Sequence, residues 1–256
     1  MISTPSLSQA LDAVGGSVLA PTLLGELGSS VGAEHCVLFR FGEDDLEVLG
    51  CASSDSTEMA RRNSDLYRRH FWRRDSTYLG LKGRLCGYKA VVSCLPAEQI
   101  SDPRFRRELI VDQGLAGRAL LVGERGGALY GLSMFRGREA GFFSEDERSA
   151  IDSMSDLLVS LVAKHAQTLL RQNSVSRLLS CVPELESAFA AAGARLSERE
   201  CQVCARIVYG LAMKEIARDL GVTPESVVTY RKRAFLRLDV ADRAALLRRL
   251  LQPQRH

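Results

Sequence analysis

The chain has 256 residues, 46% of them hydrophobic, and a formal net charge of +3. That composition excludes a disordered or fibrous chain and supplies enough apolar side chains for two buried cores. No apolar run reaches the roughly 18 residues of a membrane span, residues 1–20 lack the basic-then-apolar pattern of an export signal, and seven cysteines, an odd number, argue for reduced thiols in a cytoplasmic chain.

In chain order, HCVLFRF (35–41) and LEVLGCA (46–52) flank the turn segment GEDD and predict a β-hairpin. Acids at Glu43, Asp44 and Asp45 are there as turn formers. STEMARRNSDLYRRHF (56–71) has helical periodicity, KAVVSCL (89–95) reads as a short strand, and DPRFRRELIVDQG (102–114) reads as a second helix. ALLVGE (119–124) and ALYGLSMF (128–135) flank Arg125-Gly126-Gly127 and predict a second hairpin. Ser144 and Glu147 form a capping box that opens a helix to about Arg171. On it Ile151, Met154, Leu158 and Leu161 make an apolar seam that packs on the sheet or on a second copy. Helices before, inside and after an antiparallel sheet predict an α+β domain in αβα layers over residues 1–165. A parallel sheet would alternate strands with helices, and that pattern is missing. Tyr67, Phe71, Trp72, Asp75 and Tyr78 cluster after the first central helix. They read as a ligand pocket between sheet and helices, with Asp75 orienting a polar group, or each as ordinary core packing.

Val175, Leu178, Val182 and Leu185 extend the helical pattern until Pro183 and Gly193 interrupt it, so residues 166–194 read as a helical linker. The charge then changes. Residues 195–256 hold 13 Lys and Arg against seven acids, a net +6, while the rest of the chain balances at −3. A basic tail on an acidic body points to a polyanion partner. Within the tail, one helix runs from Glu198 to Tyr209 before Gly210, and Lys214 to Leu220 forms the next, with Ile216, Ala217 and Leu220 on one face. Gly221 ends it. Thr223 is placed to cap the following helix by accepting the Ser226 N–H, Pro224 suits the first helical position, and Glu225 complements the dipole. Val227, Ala234 and Leu238 face inward, leaving Val228, Thr229, Lys232 and Arg233 outside on a helix that has no acid after Glu225. That is a helix-turn-helix whose second helix suits a DNA major groove, all-α over residues 195–256.

Residues 196–250 resemble the LuxR-type DNA-binding domain. The likeness rests on Leu196-Ser197-Glu198-Arg199-Glu200, Gly210 before Lys214-Glu215-Ile216-Ala217, Leu220-Gly221-Val222-Thr223, Ser226-Val227, Leu238 and Asp242-Arg243. The resemblance implies that Lys214, Thr223 and Ser226 touch the DNA backbone and that Val228, Thr229 and Lys232 reach base edges, with Arg231 and Arg233 on the same basic helix. Many members have Lys or Arg at Val228, His at Tyr230 and an apolar residue at Arg231, so the preferred DNA site is this chain's own. In the family the last helix pairs two domains, which implies a homodimer on a pseudo-palindromic duplex. Ala244, Leu247 and Leu250 or Leu251 would supply that surface or belong to the core. The first 165 residues resemble GAF-like and PAS-like sensor domains, and the autoinducer-binding domain of LuxR-type regulators, in layout. Lactone receptors of the family carry a Tyr and a Trp before an Asp-Pro, where this chain has Arg62 at the Trp position and Asp75-Ser76. A lactone, another small molecule and no ligand all stay open.

Other chemistry is thin. His35, His70, His165 and His256 are far apart, and neither a phosphate loop nor a nucleophile elbow occurs. No catalytic residue, metal or cofactor is expected, and no enzyme. Cys201 and Cys204 lie inside an amphipathic helix and read as packing residues. Cys36, Cys51, Cys86 and Cys94 read as inert thiols or as a redox sensor, if strands bring them together. The expected function is a dimeric, sequence-specific transcription regulator. The alternative is an interaction protein whose tail anchors weakly to DNA.

Overall fold

A computed structural model describes residues 4–55, 57–191 and 196–251. Two compact units divide between Leu169 and Leu170. Gly193 and His256 lie outside the described residues. Among the described residues no helix is long and apolar enough to cross a membrane.

The first unit opens with α1 (Thr4–Asp12) and α2 (Leu19–Val31), neither of which the sequence reading delimited. The strands are β1 (His35–Phe41), β2 (Leu46–Ser53), β3 (Val91–Pro96), β4 (Leu115–Arg125) and β5 (Ala128–Gly137). They form one antiparallel sheet in the order β2-β1-β5-β4-β3. Both expected hairpins are present. At the β4–β5 turn Gly126 and Gly127 take φ of +59° and +77°, the left-handed pair that matches strand twist in a two-residue hairpin.

Both sheet faces are covered, which explains why the strands read as apolar runs and not as alternating patterns. Cys36, Leu38, Leu121, Leu132 and Met134 face one side. There they meet Leu19, Leu23 and Leu27 of α2 together with the long helix α6 (Glu145–Ser180). Val37, Phe39, Phe41, Leu120 and Val122 face the other, where α3 (Met59–His70), α4 (Ser76–Arg84) and α5 (Pro103–Phe105) with its π-helical continuation Arg106–Val111 close the layer. The αβα layers follow. The capping box is formed as expected: Ser144 N–H donates to Glu147 Oε2 at 2.7 Å and Glu147 N–H to Ser144 Oγ at 3.2 Å. The seam of Ile151, Met154, Leu158 and Leu161 is buried within this one chain. Its apolar surface is spent on the chain's own sheet and is not open to a second copy.

Two histidines tie this unit's stability to pH. The buried His165 accepts the Gly15 N–H at Nδ1 (2.9 Å), and Nε2 lies 3.3 Å from the Leu49 carbonyl, so the ring is neutral with its proton on Nε2. His35 is also buried, and its Nδ1 has no hydrogen-bond partner among the described residues. Burial lowers the pKa of both rings. A depressed histidine pKa means that the unfolded chain binds more protons, so stability falls as pH drops below the unfolded value of about 6.5, until the folded value is reached. The urea midpoint should therefore be lower at pH 5.5 than at pH 7.5, with a smaller difference in His165→Gln. Equal midpoints in the parent would contradict this assignment.

In the second unit, residues of the expected linker are structural. Leu185 and Phe189 of α7 (Val182–Ala191) are fully buried with Cys204, Val208 and Ala234, so α7 is part of that unit's core. Then come α8 (Glu198–Tyr209), α9 (Met213–Leu220), α10 (Pro224–Leu238) and α11 (Arg243–Leu251).

Candidate nucleic-acid interface

The position of α10 is fixed by local chemistry first. Gly221 ends α9 at φ +63°, and the Val222 N–H returns to the Ala217 carbonyl at 3.0 Å. Thr223 Oγ1 accepts the Ser226 N–H at 3.2 Å, and Pro224 occupies the first turn of α10, as the sequence indicated. The α9 start is capped differently. Glu215 Oε2 accepts the Ala212 N–H at 2.7 Å, while Ala212 has no hydroxyl to return the bond.

Packing then orients the helix. Val227 meets Val203, Ile216 and Ala217 in one small core, and Ala234, Phe235 and Leu238 meet α7 and α8 in another. Phe235 was missed in the sequence because a single aromatic two residues from Arg233 gives no periodic signal. Cys201 and Cys204 belong to that second core. Burial pushes the Cys204 thiol up to about 12 and raises Cys201, so they pack and do not react.

The opposite face of α10 is open. Val228 is 53% exposed, and Thr229, Arg231, Lys232 and Arg233 are exposed with it. Lys214 and Thr223 are exposed, and Ser226 is half-buried, so all eight expected residues reach solvent. Their chemistries differ. Thr229 Oγ1 donates to the Glu225 carbonyl at 2.9 Å, which leaves its methyl and lone pairs outward. The Arg231 guanidinium lies 5.0 Å from the Phe235 ring centre, drawn back along the helix.

Cations that the sequence could not separate from these have structural duties. Arg206 reaches Glu186 of α7, Asp219 of α9 (2.5 Å) and the Gln202 carbonyl (3.0 Å). Arg237 pairs with the buried Glu200, whose carboxylate also accepts the Ser197 N–H at 2.7 Å in a second capping box. Arg243 donates to the Val208 carbonyl at 2.8 Å and so docks α11. On α11 Leu246 is fully buried, Leu247 and Leu250 are half-buried against the core, and Ala244 and Leu251 are exposed.

In the first unit the expected ligand residues are brought together, but as a packed interior. Asp75 caps α4 by accepting the Thr77 N–H at Oδ1 (2.9 Å). Its Oδ2 accepts the Tyr67 hydroxyl (2.7 Å) and Arg118 Nη2 (2.6 Å). Both oxygens are committed within the chain. Burial pushes the Asp75 carboxyl up, yet the Arg118 guanidinium beside it outweighs this and holds it below the usual range. Burial and the Asp75 charge together push the Tyr67 phenol well above 10. Phe71 is in ring contact with Phe105 at 5.5 Å, and Tyr78 stacks on Phe41 at 4.2 Å. Trp72 carries the Arg73 guanidinium 4.9 Å over its ring and borders a separate, open depression with Asp44, Asp45 and Asp65. Of the five, only Tyr67 lines the interior cavity, alongside Asn63, Ser64, Arg118, Ser133 and aromatic rings. That cavity measures about 20 Å³, room for roughly one water molecule. Arg118 escaped the sequence reading because its partner is 43 residues away.

The strand cysteines do not form one cluster. Cys36 on β1 and Cys51 on β2 are neighbours in register but pack against opposite faces of the sheet, Cys94 lies on β3 with β5 and β4 between it and β1, and Cys86 is exposed in the segment after α4. Burial pushes Cys36 up to about 12 and Cys94 up to about 11, and raises Cys51, which disfavours the thiolate that redox chemistry needs.

Comparison with known proteins agrees with this geometry. The family described as bacterial regulatory proteins, luxR family, matches residues 194–250. Transcriptional regulatory protein UhpA of Escherichia coli is 38% identical over 55 residues, and FixJ of Azorhizobium caulinodans is 43% identical over 58. These matches take in 22% and 23% of this chain and 28% of each relative, so the chain spans under a third of the curated relatives it matches. Among solved structures, the VqsR LBD domain of Pseudomonas aeruginosa aligns over 64% of this chain and 96% of its own, at 13% identity and a TM-score of 0.46. SdiA of Escherichia coli aligns over 97% of this chain and 98% of its own, at 11% identity and a TM-score of 0.41. By their sequence match and by the way α8, α9 and α10 are built, residues 194–250 are a helix-turn-helix domain of the luxR family.

Proposed function

We propose that this chain is a sequence-specific transcription regulator of the bacterial cytoplasm that binds double-stranded DNA as a homodimer through α10. One observation carries the reading: α10 is held by its apolar face and turns Val228, Thr229, Lys232 and Arg233 to solvent, with no carboxylate after Glu225. Val228 and the Thr229 methyl suit thymine methyl groups in the major groove, and Lys232 suits guanine acceptors. Lys214, Thr223 and Ser226 stand where the phosphate backbone would pass. A single such helix covers too few base pairs for selectivity in a genome, which favours two copies on a pseudo-palindrome. The exposed Ala244 and Leu251 of α11 offer the contact, since the α6 seam does not. Sites selected from random duplexes should share a two-fold motif, and sedimentation on one site should give two chains per duplex. One chain saturating the full site would remove the dimer.

The αβα unit is the sensor-like part. An organic effector entering beside Tyr67 and Arg118 has to displace side chains that line this cavity, because about 20 Å³ is too little for it. Lactones, aromatic acids and quinolones should leave the thermal midpoint of the parent unchanged. A reproducible rise with any of them would show that the interior opens.

A further inference from the structure

The first unit carries a net charge of −3 over residues 1–169, yet residues 61–74 contain six Arg, no Lys and a single Asp. The charge is therefore segregated onto α3 and the short turn after it. Some of these cations are neutralised internally: Arg68 lies 3.5 Å from Asp65, Arg74 3.2 Å from Asp102, and Arg104 of the adjoining segment 2.7 Å from Glu108. Arg62, Arg69 and Arg107 are exposed and form no ion pair among the described residues. Aromatic rings fix the orientation of their neighbours. The Arg74 and Arg104 guanidiniums stand 5.1 and 5.6 Å from the Phe71 ring centre, and Arg73 stands over Trp72. Guanidiniums held this way lose less conformational freedom on meeting an anion.

We propose that this arginine face is a second, sequence-independent contact for the DNA phosphate backbone. The inference rests on the reading of the chain as a DNA-binding regulator. A polyanion is favoured because the face combines excess positive charge with the planar donor forks that pair with phosphate oxygens. DNA is favoured among polyanions because the same chain presents a second surface, on α10, suited to that polymer. No base edge is read here, so the contact adds affinity and salt dependence without altering the preferred site.

The test uses the full chain and its triple variant Arg62→Glu/Arg69→Glu/Arg107→Glu, whose three positions make no internal ion pair. Each is titrated with a short duplex that ends at the selected site and with a long duplex that extends about two helical turns beyond it on each side. The parent should bind the long duplex more tightly. The variant should bind both equally, and the dependence of its long-duplex affinity on log salt should fall by about 5.4 for the dimer, the loss of three phosphate contacts from each chain at roughly 0.9 per contact. Circular dichroism and the thermal midpoint of the variant should match the parent. A parent that binds both duplexes equally at low salt overturns the proposal. So does a variant that keeps the parental preference for the long duplex, which would leave the face to an acidic protein surface. If the parent selects no sequence but holds long duplexes through these arginines, the regulator reading fails and this one stands.

Discussion

Arg118→Met should destabilise the N-terminal unit by about 3–5 kcal/mol, the usual cost of breaking a buried ion pair from one side. The substitution keeps most of the side-chain volume, so the loss comes from charge. Asp75 would stay buried beside the Tyr67 hydroxyl without its ion-pair partner, and the stacking of the guanidinium 4.9 Å over Phe105 would go as well. Asp75→Asn on the Arg118→Met background should recover most of that loss. An asparagine still accepts the Thr77 N–H that caps α4 at its one oxygen, its NH2 can donate to the Tyr67 hydroxyl oxygen in place of the bond that the carboxylate accepted, and it leaves no orphan charge. A double-mutant cycle by urea denaturation reads the coupling directly. A single variant as stable as the parent, or a double variant less stable than Arg118→Met alone, would refute the account of this interior.

The second large effect is on DNA. Lys232→Ala should cost about 1–3 kcal/mol of specific binding, with little change in folding, because Lys232 is exposed and forms no ion pair among the described residues. Arg206→Ala should do the reverse. Its guanidinium joins α7, α8 and α9, so the thermal midpoint falls first and DNA binding follows only as the fold is lost. Gel-shift titration and melting of both variants separate the two kinds of cation. Lys232→Ala binding as tightly as the parent would take it out of the interface.

The tail was legible because its signals are local. Gly221, Thr223, Pro224 and Glu225 fix a turn and a helix start within five residues, and each acts through backbone groups close to it in sequence. The Ser144–Glu147 box is legible for the same reason. What the sequence hid is non-local or ambiguous by nature. The pairing of Arg118 with Asp75 depends on α4 and β4 meeting in space. The α6 seam fits a sheet or a partner equally well on periodicity, and only burial against β-strands decides between them. The α7 segment carries Pro183, which suggests interruption, but at the second position of a helix it costs no hydrogen bond, so the chain continues into the core through Leu185 and Phe189. Strand β4 begins at Leu115, earlier than the apolar run, because Gly117 and Arg118 look like turn residues although both lie in the ladder. Tyr67, Phe71, Trp72 and Tyr78 belong to one packed hydrophobic cluster, and their proximity in sequence carries no signal that separates a pocket from a core.

The central claim is that α10 reads a DNA sequence. Genome-wide mapping of sites bound by the parent and by Lys232→Ala, expressed at equal levels, tests it most directly. The account predicts discrete sites sharing one two-fold motif for the parent, and loss or relaxation of that motif in the variant while both proteins stay folded. Diffuse occupancy that follows DNA accessibility, the same for both chains, would contradict it.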